Sequence, residues 1–323
     1  MEHFCDRLIS LIKIKGSHIV VGIDPQIDQI PQHILKAHQE KFGYTPRGFA
    51  CGLLDFGKNI IDAVFPHTPA VKIQIAYYEY WGYWGIWAFQ ETAKYAKERG
   101  LLVIGDVKRA DISSTAQTYA EGYLESEKHV SGLSLESRED ASYFLDALTL
   151  NPYLGSDSLL PFLKLAHETG KGAFILVKTS NPSSAELQDL QTPNGKIYEL
   201  MAEKVNSWGE TSMGFKGYSS VGAVVGATYP KVAERLRALM PHTYFLVPGY
   251  GAQGAKGDDL APFFNTDGLG AVVNSSRGII FAYKQEPYRR QFEDKDFASA
   301  ASLAAVKMKE EINAIVGLKG GSN

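Results

Sequence analysis

The sequence predicts an α/β protein, a (β/α)8 barrel of the TIM type with extended loops, and three observations lead there. Eight short apolar, β-branched runs recur along the chain, most segments between them are long enough for a crossover helix, and six runs finish on or beside a polar or charged group. Runs that are apolar throughout suit strands of a parallel sheet, whose two faces are both covered. Parallel neighbours need a crossover between them, and eight strand–helix units are the number that closes a barrel. An open doubly wound sheet also fits, because a pattern does not prove closure.

In chain order the runs are residues 18–24 (HIVVGID), 69–74 (PAVKIQ), 101–106 (LLVIGD), 146–151 (DALTLN), 172–178 (GAFILVK), 221–226 (VGAVVG), 243–248 (TYFLVP) and 270–275 (GAVVNS). Helical periodicity marks 85–100 and 231–240, and the first eighteen residues also space their apolar positions as a helix does. Three connections, 26–66, 119–146 and 181–221, exceed a simple crossover. The last reads as a polar loop followed by a helix around 197–208; such loops are often lids, and equally often decoration. With no repeat, low-complexity tract or linker, residues 1–323 read as one domain.

The bulk numbers narrow the function. A hydrophobic share of 45% and a charged share of 21% are ordinary for a soluble protein with a large core. A net charge of −3 gives no broad basic face for nucleic acid, so an anionic substrate has to be met by a few placed cations. Cys5 and Cys51 have neither disulfide nor metal-ligand spacing. The N-terminal segment lacks the uninterrupted apolar stretch of a signal peptide, and nothing approaches the roughly 20 apolar residues of a membrane span. The expected setting is the cytoplasm, with no membrane and no nucleic-acid partner.

The strand-end groups are Asp24, Lys72, Asp106, Asn151, Lys178 and Asn274. Barrel enzymes assemble their sites at the C-terminal ends of strands, so these groups mark the expected chemical face. The sharpest motif is Gly105-Asp106-Val107-Lys108-Arg109-Ala110-Asp111. Side chains two apart on a strand share a face, which sends Asp106 and Lys108 in one direction. Asp111 follows where the strand gives way, either as a third member of a charged array or as a helix N-cap. Two carboxylates and an ammonium held close are costly to bury without a purpose.

D-x-K-x-x-D after the third strand resembles the signature of the orotidine 5′-phosphate decarboxylase family. Further matches follow in the family's order: Gly22-Ile23-Asp24-Pro25, Val71-Lys72-Ile73-Gln74, Thr179-Ser180-Asn181-Pro182, Pro248-Gly249-Tyr250-Gly251-Ala252-Gln253-Gly254 and Ser276-Arg277-Gly278. The resemblance spans roughly residues 18–283 and points to the longer bacterial-type members. It implies a catalytic network of Lys72, Asp106, Lys108 and Asp111, acting on orotidine 5′-phosphate to give UMP with no cofactor and no metal. It implies a homodimer, with Asp111, Ile112 and Thr115 entering the partner's site. Asp24 would bond the ribose, Ser180 and more loosely Asn181 the pyrimidine; Pro248 would line the base pocket, and Gln253 and Arg277 would hold the phosphate.

Other features read more plainly. Gly249-Tyr250-Gly251-Ala252-Gln253-Gly254 fits the dinucleotide pattern G-x-G-x-x-G, yet it follows the seventh run, where barrels commonly bind phosphate through backbone N–H groups. The aromatic run from Tyr77 to Trp84 is expected in core packing or a dimer contact rather than base stacking. The eight histidines form no metal-spaced pair, and the sequon at Asn274 falls in an expected buried strand.

Loss of CO2 from C6 of the pyrimidine leaves a carbanion, and Lys108 is the candidate to stabilise and then protonate it. Three rivals stay open. A magnesium-dependent keto-sugar-phosphate decarboxylase or synthase shares D-x-K-x-x-D but carries an acidic residue in the second-strand motif. A Schiff-base aldolase would use Lys178 or Lys72. A non-catalytic nucleotide-binding barrel would keep the fold without the chemistry.

Overall fold

The computed structural model describes residues 2–124, 142–250 and 257–317. Eight parallel strands close into a barrel: β1 (Ile19–Ile23), β2 (Ala70–Gln74), β3 (Leu102–Arg109), β4 (Ala147–Leu150), β5 (Gly172–Lys178), β6 (Ser219–Val225), β7 (Thr243–Val247) and β8 (Ala271–Ser275). Each pairs with its sequence neighbours, and β8 returns to β1. The strands match the apolar runs to within a residue, with two exceptions. β6 begins two residues earlier, at Ser219, and β3 continues three residues past Asp106 to Arg109.

Alternation along the strands separates two cores. Val20, Ala70, Leu102, Ile104, Ala147, Phe174, Val224, Leu246 and Val272 fill the barrel interior, while Val21, Val71, Val103, Leu148, Ile175, Ala223, Phe245 and Val273 face the surrounding helices. The expected N-terminal helix, Phe4–Lys15, joins the interior core through Phe4, Cys5, Leu8, Ile9 and Ile12, and so closes the N-terminal end of the barrel. Gly16, at φ 54, ends that helix in the left-handed conformation that glycine tolerates best.

Buried polar groups fasten this closed end. Asp146, just before β4, accepts from Arg7 Nη1 and Lys97 Nζ at 2.6 Å and from Val103 N at 2.9 Å. Arg237 donates to the carbonyls of Met240, Thr243, Phe263 and Gly270 and stacks on Phe245 with its centre 3.7 Å from the ring. Burial lowers the Arg237 pKa to about 10, which leaves it charged at neutral pH.

The long connections are mostly structured. Residues 26–66 hold helices Gln32–Phe42 and Pro46–Val64, the second capped by Thr45 Oγ1 accepting from Gly48 N, with Pro46 in its first turn. Residues 181–221 hold a short helix, a two-residue hairpin and helix Ile197–Gly209. The connection 119–146 falls largely outside the described residues. The periodic segments are helices Gly82–Glu98 and Pro230–Leu239. Among the described residues no helix is long and apolar enough to cross a membrane.

Candidate active site

The C-terminal ends of the strands surround a cavity of about 810 Å³. Among the expected site residues it is lined by Asp24, Lys72, Asp106, Lys108, Ser180, Asn181, Pro248 and Arg277. The alternation that fills the interior also delivers these groups. Lys72 and Gln74 follow Ala70, Asp106 and Lys108 follow Ile104, Thr149 follows Ala147, and Asn274 follows Val272.

Asp106 is the hub. Its Oδ2 accepts from Lys72 Nζ at 2.6 Å and Gln74 Nε2 at 3.0 Å; its Oδ1 accepts from Lys108 Nζ at 2.5 Å and Thr149 Oγ1 at 2.9 Å. Burial by itself would raise the carboxyl pKa. The charges and hydrogen bonds of Lys72 and Lys108 outweigh that and hold it well below the usual carboxylate range. Burial likewise works to lower the Lys72 pKa, and Asp106 and Asp24 reverse it, so the ammonium is held charged.

The end of β3 is bent to achieve this. Lys108 has φ 44, a conformation uncommon outside glycine and concentrated at functional sites. Its N–H donates to Thr149 Oγ1 at 3.0 Å, and the same hydroxyl donates to Asp106. Gln74 and Thr149 were not among the expected site residues. The available signal was positional: each lies two residues along from an inward-facing one.

Among the described residues, two buried acceptors in the wall lack a hydrogen-bond partner, Asp24 Oδ1, 3.9 Å from Lys72 Nζ, and Asn274 Oδ1. Such atoms favour a ligand that carries donors, such as sugar hydroxyls. Leu176, Val177, Leu246 and Pro248 make an apolar wall, and Arg277 is exposed at the rim after β8. The cavity thus offers a charged array, an apolar wall, unpaired acceptors and an outer cation.

Asp111, Ile112 and Thr115 are not brought to this cavity. Asp111 accepts from the N–H of Ile112, which is 54% exposed, and Thr115 is exposed as well. Nor is Asp111 the N-cap of helix Ser113–Leu124, whose first turn closes on the Ile112 carbonyl. Gln253, and with it most of the glycine-rich segment after β7, lies outside the described residues. Lys178 is 1% exposed, absent from the cavity lining and bonded to Asp189, so it does not stand where a Schiff-base lysine would. No residue of the aromatic run lines the cavity: Tyr78 is buried in the core, while Tyr80 and Tyr83 are exposed.

Comparison with known proteins gives the family. The model of the orotidine 5′-phosphate decarboxylase / HUMPS family matches residues 53–290. The orotidine 5′-phosphate decarboxylase of Caldicellulosiruptor bescii is 42% identical over 316 residues, covering 98% of this chain and 100% of that protein. The one from Rhodopirellula baltica is 40% identical over 312 residues, 97% of this chain and 99% of its own. The solved Leishmania donovani OMP decarboxylase aligns with a TM-score of 0.73 at 29% identity, covering 98% of this chain and 99% of that one. With a family model across most of its length and relatives of this identity from end to end, the chain is a carboxy-lyase and belongs to the orotidine 5′-phosphate decarboxylase family.

Proposed function

We propose that the protein, one barrel domain over its whole length, converts orotidine 5′-phosphate to UMP in pyrimidine biosynthesis with no metal or cofactor. The observation that carries this reading is Asp106 held between two ammonium groups, Lys72 and Lys108, in a cavity with an apolar wall and a cation at its rim. The pyrimidine lies against Pro248 with Ser180 and Asn181 at its edge, the ribose hydroxyls meet Asp24, and Arg277 and Gln253 take the phosphate. Arg277 suits that role because its guanidinium offers a fixed fork to phosphate oxygens.

When the bond from C6 to the carboxylate carbon breaks, CO2 leaves and the electron pair stays on C6. Lys108 is placed to stabilise that charge and then to give C6 a proton, after which solvent restores the ammonium. Asp106 orients Lys108 and shares its charge with Lys72. Distant phosphate contacts contribute binding energy that holds C6 against Lys108.

The magnesium-dependent alternative is disfavoured by chemistry already present. A hard cation needs open carboxylate oxygens. Both oxygens of Asp106 are filled by donors, the second strand contributes Lys72 and Gln74 instead of an acid, and the open oxygen of Asp24 lies 3.9 Å from the Lys72 ammonium, which disfavours a cation there. A mere nucleotide binder has no use for so much desolvated charge.

A homodimer with shared sites belongs to the same proposal. Asp111, Ile112 and Thr115 do not line their own cavity, Ile112 and Thr115 are exposed, and one turn on from Thr115 the exposed Tyr119 packs against Arg109, which pairs with Glu79. A second copy seated there would receive Asp111 beside its Lys108. The expected location is the cytoplasm.

The test is absorbance loss on adding orotidine 5′-phosphate to purified protein, with and without EDTA. Rapid conversion to UMP that EDTA does not slow is expected. No conversion by folded protein would overturn the assignment, and conversion that EDTA abolishes would restore the magnesium reading.

A further inference from the structure

We propose that Lys178 is a positioning residue: its buried ammonium latches residues 181–190 onto the end of β5 and thereby sets Ser180 against the substrate's base. The inference rests on the proposed decarboxylase function.

Lys178 is among the most deeply buried ionisable side chains, yet the mechanism above does not use it. Its Nζ donates to Asp189 Oδ2 at 2.6 Å and to Ser184 Oγ at 3.3 Å. It lies 4.8 Å from the centre of the Tyr229 ring and 5.7 Å from that of Tyr198. A buried ion pair seldom adds net stability, because desolvation offsets the attraction; its attested use is to fix one arrangement over others. The arrangement fixed here is the course of the chain after β5.

A second set of bonds carries that position to the cavity. Gln188, one residue before Asp189, accepts from Thr179 N at 3.0 Å and donates to Thr179 Oγ1 at 2.8 Å, while Thr179 Oγ1 donates to Asn181 Oδ1 at 2.6 Å. Beneath them Gly226 N donates to Lys178 O at 2.8 Å. A methyl group at Gly226 would stand 2.8 Å from Ser180 Cβ and 2.9 Å from its N, so Ser180 rests directly on the end of β6. Ser180 is therefore held from below by Gly226 and from the side by the latched segment, whose Leu187 and Gln188 also line the cavity. With the latch open, the contact between Ser180 and the base would be lost while Asp106 and Lys108 stayed in place.

The experiment compares Lys178→Met and Asp189→Asn with wild type in steady-state kinetics on orotidine 5′-phosphate, together with thermal melts. Methionine keeps the buried stem and removes the charge. Asp189 is partly exposed, so its variant serves if Lys178→Met does not fold. Expected is a KM raised about tenfold or more with kcat within about threefold, in proteins that still melt cooperatively, with Tm lowered more by Asp189→Asn because it leaves the buried Lys178 ammonium without its counter-charge. In a Ser180→Ala background the same substitutions should lower kcat/KM by less than about twofold, because the contact they position is already gone. An unchanged KM in the single variants, or full additivity with Ser180→Ala, would overturn the latch while leaving the decarboxylase reading intact. A wild-type protein that fails to turn over the substrate would overturn both.

Discussion

At the scale of single residues, the site is organised by one carboxylate that is chemically silent. Asp106 neither gives nor takes a proton near neutral pH, because the charges around it hold its pKa far down. Its work is to keep two ammonium groups close together. Lys108→Ala should abolish turnover while calorimetric titration still shows UMP binding; near-normal turnover would remove Lys108 from the proton-donor role. Asp106→Asn should cost most of the activity and also change the response to acid. The folded carboxyl protonates later than the unfolded one, so the unfolded chain takes up the proton first as pH falls. The stability contributed is complete above the unfolded value, about pH 4, and drains away below it toward the lower folded value. Urea titrations between about pH 5 and 2 should show a shallower loss of stability in the Asn variant. Equal slopes in both proteins would mean that Asp106 is not the group carrying this linkage.

At the scale of elements, much of the site was legible because strand alternation is strict. It placed Asp106 beside Lys108 and put Asp24, Lys72 and Asn274 at strand ends facing one cavity. It failed at Lys178 for a physical reason. The pairing of β5 with β6 shifts register between Leu176 and Lys178, so the lysine leaves the cavity that its spacing from Leu176 would assign it. The extension of β3 to Arg109 was hidden because a run of charged residues reads as a loop, and the bend at Lys108 has no sequence signal of its own. Gln74 and Thr149 were overlooked because neither side chain is chemically unusual until Asp106 stands between them. Where elements press together, small changes should be felt. Gly226→Ala should destabilise the fold by about 1–3 kcal/mol, since the added methyl meets the Ser180 backbone rather than a flexible tip. It should also raise KM for the nucleotide. Denaturant unfolding and steady-state kinetics check the two parts, and a variant with wild-type stability would show that the β5 and β6 ends separate without cost.

At the scale of the whole molecule, the proposed dimer makes its own prediction. Mixing inactive Lys108→Ala subunits with inactive Asp111→Asn subunits under exchange should restore activity. Each hybrid would hold one site with both lesions and one with none, so random pairing recovers about a quarter of the wild-type rate. No recovery, with exchange confirmed by native mass spectrometry, would mean that Asp111 serves its own chain. The barrel imposes a further condition. Because helix Phe4–Lys15 stoppers one end from within, the molecule is a one-necked flask. In the proposed reaction, nucleotide, carbon dioxide and the replacement proton would all share that neck, and the gas would be set free beneath the ring that blocks its exit. The sequence of departures is therefore a question of plumbing as much as of bond breaking, with the nucleotide acting as its own cork.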